Sequence, residues 1–365
     1  MYIVFFCSLI ALLLTYLESK NQLKGGMKWG FVIVTILGMI HYDYGNDYMS
    51  YYEVFKQVTS YSFDLPGILA GDYYREPGWV LLCWLFKPIG GFFMMVAVLN
   101  LIQNYIVFNF VKQFVDKRWW AVAVFVYLFA TSFYLMSFSM MRQSFALIMF
   151  LGMWKYIEDR KWWIPLVVFL LLSFIHSSAI ILIPFAFWGF LPVNKGKLVG
   201  VSYAIVLLLL WFSQNFLNDI FSYALTLDDD FADYADTYDN GNNVLKIGMG
   251  FVVNMIPFVL SILFLLDMKQ NYSNSQKLIV ALAAISYMIA PFSQIIPVTG
   301  RLGMYFGIYK LGSIPLIYSN IRNKVIRAGL LSLCLFMIFY DYIIFFSNPV
   351  WVEKYTDFHT FFEVL

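Results

Sequence analysis

The chain has 365 residues, 61% of them hydrophobic and about a fifth aromatic, while charged side chains make up only 13%. Soluble domains carry roughly 25% charged residues, and one core of this length could not hide so much apolar surface from water, so the excess must face lipid. The net charge of +2 is uninformative as a sum, because charge in a membrane protein reports by side.

A span needs about 20 apolar residues. In chain order, spans are predicted at approximately 2–17, 29–42, 91–111, 119–136, 140–157, 162–175, 177–190, 198–214, 246–266, 278–296, 302–319 and 326–346. The first has no basic residue before it and no small-residue cleavage site after it, and reads as a retained transmembrane helix. The pair 162–175 and 177–190 also reads as one long broken helix, which would make eleven. Cys7, Cys83 and Cys334 lie far apart in apolar runs, so neither a disulfide framework nor a zinc site is implied.

Loop charge separates these counts. In the twelve-span arrangement the loops 18–28, 112–118, 155–161, 191–197, 267–277 and 320–325, counted with their edges, hold 16 of the 24 basic residues and five of the 22 acidic ones. The positive-inside rule puts those loops in the cytoplasm and both termini outside; eleven spans would invert the second half. The expectation is an all-α polytopic membrane protein of about 12 transmembrane helices (11–13), a single transmembrane domain over 1–365.

Two outer loops are long, 43–77 and the acidic 213–245. In the first, Tyr48, Tyr51, Tyr52, Phe55 and Val58 recur at 3–4 spacing, predicting an amphipathic helix on the outer membrane surface. Segment 78–86, between Pro77 and Lys87-Pro88, is too short to cross and reads as re-entrant, near 78–88. In the second, Asp230, Asp233, Asp236 and Asp239 recur every three residues opposite Phe231, Tyr234 and Tyr238, predicting an acidic amphipathic helix whose charged face is solvated or, although the string lacks the EF-hand spacing, a calcium site. Lys310 lies mid-span, where it would pair with Asp341 or snorkel, and no role is assigned to it.

Intramembrane charges are rare and usually face a cavity. Here Arg142, Arg301, His176, Asp43, Asp47, Arg75 and Glu76 all fall on the outer side, from five places in the chain. Arg142 in Met141-Arg142-Gln143 opens the fifth span. It is either a snorkelling arginine or an anion clamp, because a guanidinium fork matches phosphate oxygens in pairs and helix starts favour negative charge; Gln143 would add donors. Arg301, after Pro297 and Gly300, repeats the pattern at the eleventh span, as interfacial anchor or second clamp. His176, followed by Ser177-Ser178, sits at a hinge, satisfied by a carbonyl or able to donate to a phosphate or accept a proton. Asp47 is an N-cap or a base, and Ser50-x-x-Glu53 looks like a capping box. Glu76 in Arg75-Glu76-Pro77-Gly78 would be partly desolvated, which suits a proton acceptor.

Taken in order, Gly45-Asn46-Asp47-Tyr48 with Tyr51-Tyr52, Glu76-Pro77-Gly78, Met141-Arg142-Gln143, Phe174-Ile175-His176-Ser177-Ser178-Ala179 and Arg301 with Tyr305-Phe306 resemble the EpsG-like family of bacterial polysaccharide polymerases, relatives of the Wzy class. The matching stretches run from about residue 41 to 306. One position departs: the family often has an arginine six residues before the loop aspartate, where this chain has His41; Arg75 would be the substitute cation. The resemblance implies a membrane glycosyltransferase, GT-C-like in fold, at the outer face of the bacterial cytoplasmic membrane. It would move a growing glycan from one undecaprenyl-diphosphate carrier onto the repeat unit of another, needing no cofactor or metal, with a chain-length regulator as an added partner and no nucleic acid. Arg142, Gln143, Arg301 and Arg75 would then bind the diphosphate. Asp47, Glu76 and His176 would serve the chemistry, and Tyr48, Tyr51 and Tyr52 would stack on sugars. Rival expectations are O-antigen-ligase-like transfer, a lipid-linked oligosaccharide flippase and a membrane O-acyltransferase centred on His176. A flippase would carry cations to both leaflets and show internal pseudo-symmetry; an acyltransferase would leave two phosphate clamps without a purpose.

Overall fold

The computed structural model describes residues 1–191, 196–213, 248–267, 272–294 and 298–364. The acidic run of Asp230, Asp233, Asp236 and Asp239 lies outside them. The described residues divide into two compact units, Met1–Trp188 with Ile314–Leu365, and Gly189–Ser313.

The first unit begins with α1 (Tyr2–Ser19) and α2 (Gly26–Ile40), joined by a corner that Glu18 closes. Its carboxylate accepts from the N–H groups of Gly25 (3.1 Å) and Met27 (2.8 Å), satisfying free donors at a helix start where negative charge is favoured. After the two-residue strand β1 (His41–Tyr42) come α3 (Tyr48–Ser60), α4 (Leu65–Ala70), α5 (Pro77–Phe86) and α6 (Gly91–Phe114). Then follow α7 (Trp120–Phe129), α8 (Met141–Gly152), α9 (Trp154–Glu158), α10 (Trp163–Ile175) and a 3-10 helix, Ser177–Phe190. At 2.0 Å per residue, 14 residues of 3-10 helix extend about 28 Å, against about 21 Å for an α-helix. Four helices among the described residues, Tyr2–Ser19, Gly91–Phe114, Asn274–Ser293 and Lys324–Phe345, are long and apolar enough to cross a membrane, with several shorter apolar helices beside them. Together with apolar side chains left open along α1 (Phe6, Leu13), this is an all-α membrane protein.

The second unit contains α11 (Gly196–Phe212), α12 (Met249–Leu266), α13 (Asn274–Ile289) and α14 (Val298–Gly307). Ser273 opens α13 with a reciprocal capping box to Gln276. Residues Leu278 to Met288 of α13 are buried on every face, as expected of a helix that is apolar all round, and the Tyr203 hydroxyl donates to Ala281 O at 3.0 Å. Lys310 carries its ammonium over the Tyr287 ring, 4.4 Å from the centroid. The run predicted at 302–319 is two helices, α14 and α15 (Lys310–Ser319). Finally α16 (Lys324–Phe345), capped by Asn323 on the N–H groups of Val325 and Ile326, leads to α17 (Pro349–Thr356) and β2 (His359–Thr360). Phe5, Phe129, Phe339 and Tyr342 knit α1, α7 and α16 through ring contacts.

The first unit has two distinct ends, about 36 Å apart along α6. At one end Lys117 donates to Asn21 Oδ1 (2.7 Å) and Lys155 to Gln113 Oε1, bringing three basic loops together. At the other, β1 pairs antiparallel with β2 (His41 with Thr360, Tyr42 with His359), and the Met1 amino group donates to Thr356 O.

Helix α3 buries the face read from its spacing: Tyr48, Tyr51, Phe55 and Val58. That face packs on protein, not on a membrane surface, with Tyr51 against Trp79 of α5 (5.4 Å) and Phe55 against Phe92 of α6 (5.7 Å). Amphipathic spacing states that a face is covered, not by what. The capping box expected at Ser50 and Glu53 is absent because the helix already starts at Tyr48 and has no side-chain cap; Glu53 pairs with Lys56 instead, at 3.4 Å.

Candidate active site

Three helix starts of the first unit meet at one carboxylate. Glu76 precedes α5, with Pro77 preset for the first turn. Gly78 brings α5 against α10, since a Cβ there would lie 2.8–2.9 Å from backbone atoms of Phe174. The chain leaves α10 at His176 in an extended conformation (φ −149°, ψ 113°) and enters the 3-10 helix at Ser177. Glu76, 5% exposed, therefore sits where it accepts the Ser177 N–H (2.8 Å) and contacts His176 Nδ1 (3.2 Å) through Oε1. Its Oε2 accepts from Arg142 Nη1, in the first turn of α8. Three separate motifs of the sequence, Glu76-Pro77-Gly78, Arg142-Gln143 and His176-Ser177, thus form one ion-paired cluster.

Arg142 is also held from its face. Its Cζ lies 4.9 Å from the Tyr51 centroid, 5.3 Å from Tyr74 and 5.8 Å from Trp79, a three-ring cage of the kind that retains a guanidinium. Burial raises the Tyr51 phenol above its ordinary range, with the Arg142 charge pulling against the rise. Gln143 is buried in the same turn, and Arg75, exposed, donates to Ser177 Oγ at 3.4 Å.

Asp47 sits beside this cluster on a separately braced loop. Its Oδ2 accepts from Ser139 Oγ (3.1 Å) and its N–H donates back to that oxygen (3.2 Å). It does not cap α3 through its side chain. The brace is α17: Gly45 N–H donates to Lys354 O (3.1 Å), Asn46 Nδ2 to Val350 O (2.7 Å), and Lys354 pairs with Asp43 at 3.2 Å. Tyr44 is enclosed by Phe138, Tyr355 and Phe358.

Of the tyrosines expected to stack on sugars, Tyr48 is fully enclosed, donating to His41 O (3.1 Å) and packed edge-on to His41 and Phe92. Tyr51 spends its ring on Arg142 and Trp79. Both are packing positions, because the apolar face of α3 is the face they occupy. Tyr52 keeps partial exposure, stacked on Phe93 with Lys56 over its ring. His41 is buried between Tyr48 and Phe138 with Nδ1 on Gly38 O, so it is a packing residue. Arg301, half-buried, lies in the first turn of α14, in the second unit. Among the described residues no group of three or more His, Cys, Asp or Glu side chains could hold a metal.

Sequence reasoning missed Tyr74, Trp79 and Ser139 as neighbours of the site, and α17 as the brace. The first two were signalled by the aromatic residues around Arg75-Glu76-Pro77-Gly78; the brace joins residues more than 300 positions apart. Gly78→Ala is expected to push α5 off α10 and lengthen the Glu76–His176 contact. Tenfold or greater loss of activity with membrane insertion intact is the expected assay result; wild-type activity would show that the approach at Phe174 is dispensable.

No curated protein and no solved structure matches the chain. A family model described as EpsG family matches residues 27–356, a range that contains Asp47, Glu76, Arg142, His176 and Arg301, and the chain belongs to the EpsG family.

Proposed function

We propose that the protein is a glycosyltransferase that polymerises undecaprenyl-diphosphate-linked repeat units at the outer face of the bacterial cytoplasmic membrane. The observation that carries this reading is the convergence of Arg142, Glu76 and His176, with three helix starts behind them, in a chain of the EpsG family. In this reading the basic loops gathered at the opposite end face the cytoplasm, and the 3-10 helix supplies the length that lets Ser177–Phe190 cross in a twelve-span arrangement.

The difficult step is departure of a diphosphate from an anomeric carbon. It needs charge stabilisation, which preorganised cations and helix starts provide. Arg142 is the principal contact, with Gln143 and Arg75 as further donors. The acceptor hydroxyl attacks the anomeric carbon and its proton passes to a carboxylate, Glu76 first and Asp47 second. The new C–O bond forms as the bond to the diphosphate oxygen breaks, and the electron pair leaves with the diphosphate. Inversion at carbon follows from one displacement, by analogy with paired-group glycosidase logic. His176 fixes the Glu76 carboxylate, and Tyr52 offers a sugar a partly open ring.

Reconstitution with a synthetic undecaprenyl-diphosphate repeat unit tests the proposal. The expected result is a glycan ladder with release of undecaprenyl diphosphate. Transfer of the unit to a non-glycan acceptor, or movement across the bilayer without bond formation, would overturn it.

A further inference from the structure

Resting on the reading above, we propose that Glu76 is the resident occupant of the diphosphate position: it neutralises Arg142 until the carrier arrives, and the arriving diphosphate displaces it from Arg142 and so releases it as the proton acceptor.

The two carboxylate oxygens have different attachments. Oε1 is anchored by the Ser177 N–H at 2.8 Å and His176 Nδ1 at 3.2 Å, whereas Oε2 meets Arg142 Nη1. Losing Arg142 therefore frees one oxygen while the other stays pinned, so the group remains in place after the exchange. Arg142 in turn does not depend on Glu76 for its position, because the rings of Tyr51, Tyr74 and Trp79 surround it.

The cluster also holds more donors than a carboxylate can use. Arg142 Nε and Trp79 Nε1 are buried and meet no acceptor among the described residues. Buried donors are nearly always paired, so an open N–H on the guanidinium itself and another on the indole that packs against it fit an anion with more oxygens than Glu76 offers. A diphosphate has them, and its higher charge also suits the three converging helix starts.

Exchange of one anion for another keeps Arg142 neutralised throughout, which avoids the large cost of an unpaired buried charge. While both oxygens are held, the carboxylate is stabilised in its charged form by charge-assisted bonds. Proton acceptance is thereby tied to the presence of the leaving group, and an empty site does not activate hydroxyls or water.

Titration of inorganic diphosphate into the full chain in nanodiscs, run alongside polymerisation, tests this. Glu76→Gln is expected to bind diphosphate about tenfold more tightly than wild type while polymerising at least 100-fold more slowly. Weaker or equal binding by Glu76→Gln, with Arg142→Ala clearly weakened, would overturn the exchange and leave the polymerase reading standing. Unchanged binding by Arg142→Ala would remove the diphosphate site itself. If Glu76→Gln does not fold, Glu76→Asp serves in its place: the shorter side chain cannot hold His176 and Arg142 together, and the same tightening is expected.

Discussion

Arg142→Ala is expected to lower polymerisation by roughly 10²–10³-fold, the usual consequence of removing one preorganised contact to a developing charge. The substitution has a second effect that must be separated from the first. Among the described residues Glu76 would keep His176 and the Ser177 N–H as its partners, and leaving one member of a buried pair uncompensated costs about 3–5 kcal/mol. A lowered melting temperature is therefore expected as well. The double variant Arg142→Ala with Glu76→Gln removes both charges, and a coupling energy appears as recovered stability. Recovery of stability identifies the unpaired Glu76 charge as the source of the lower melting temperature, and the ladder lost by Arg142→Ala at a temperature where it stays folded marks Arg142 as part of the chemistry. Recovery of both would reduce the pair to a structural role. Arg142→Lys is expected to fail nearly as badly, because an ammonium lacks the planar fork and stacks poorly in the cage of Tyr51, Tyr74 and Trp79.

Gly45→Ala has the largest expected effect on the integrity of the loop between β1 and α3. Gly45 adopts φ +110°, and an added Cβ would lie 2.7 Å from Phe138 O, 2.8 Å from its carbonyl carbon and 2.8 Å from the Ser139 N. Those are backbone atoms and cannot swing aside. A side chain in this half of the φ range costs about 1–2 kcal/mol, and overpacking adds about 1–3 kcal/mol. The loop is held at the same point by Lys354 O and carries Asp47 onto Ser139, so the clash displaces the Asp47 carboxylate as well as the turn. The expected outcome is a melting temperature lower by several degrees in detergent and at least tenfold less product. A variant with wild-type stability and rate would show that the turn relaxes without cost.

The apolar helices were legible because lipid imposes composition: every span must present its backbone satisfied and its side chains apolar. Arg142, Glu76 and His176 were expected on one side of the membrane from the order of the apolar runs, and the structure brings these three side chains into contact. Side, however, is not distance. Nothing in the residue string indicates that Arg142 and Glu76, 66 positions apart, would be paired, and a clamp and a base read separately became a single ion pair. Helix α3 illustrates the same limit, because spacing located its buried face while only the fold supplies α5 and α6 as its cover. The Ser50–Glu53 pattern misled because the turn at Gly45 starts the helix three residues earlier, with Asp47 in the cap position. Residues 179–190 are apolar without a break, so their periodicity cannot separate a 3-10 helix from an α-helix, and the Asp43–Lys354 and β1–β2 contacts join segments too distant for any local pattern to reveal.

The most direct single measurement is the affinity of undecaprenyl diphosphate, the proposed released product, for wild type and for the Arg142→Ala, Glu76→Gln double variant in nanodiscs. A site built on Arg142 gives salt-sensitive binding to the wild type and at least tenfold weaker binding to a double variant that remains folded. Equal affinity for both proteins would contradict it.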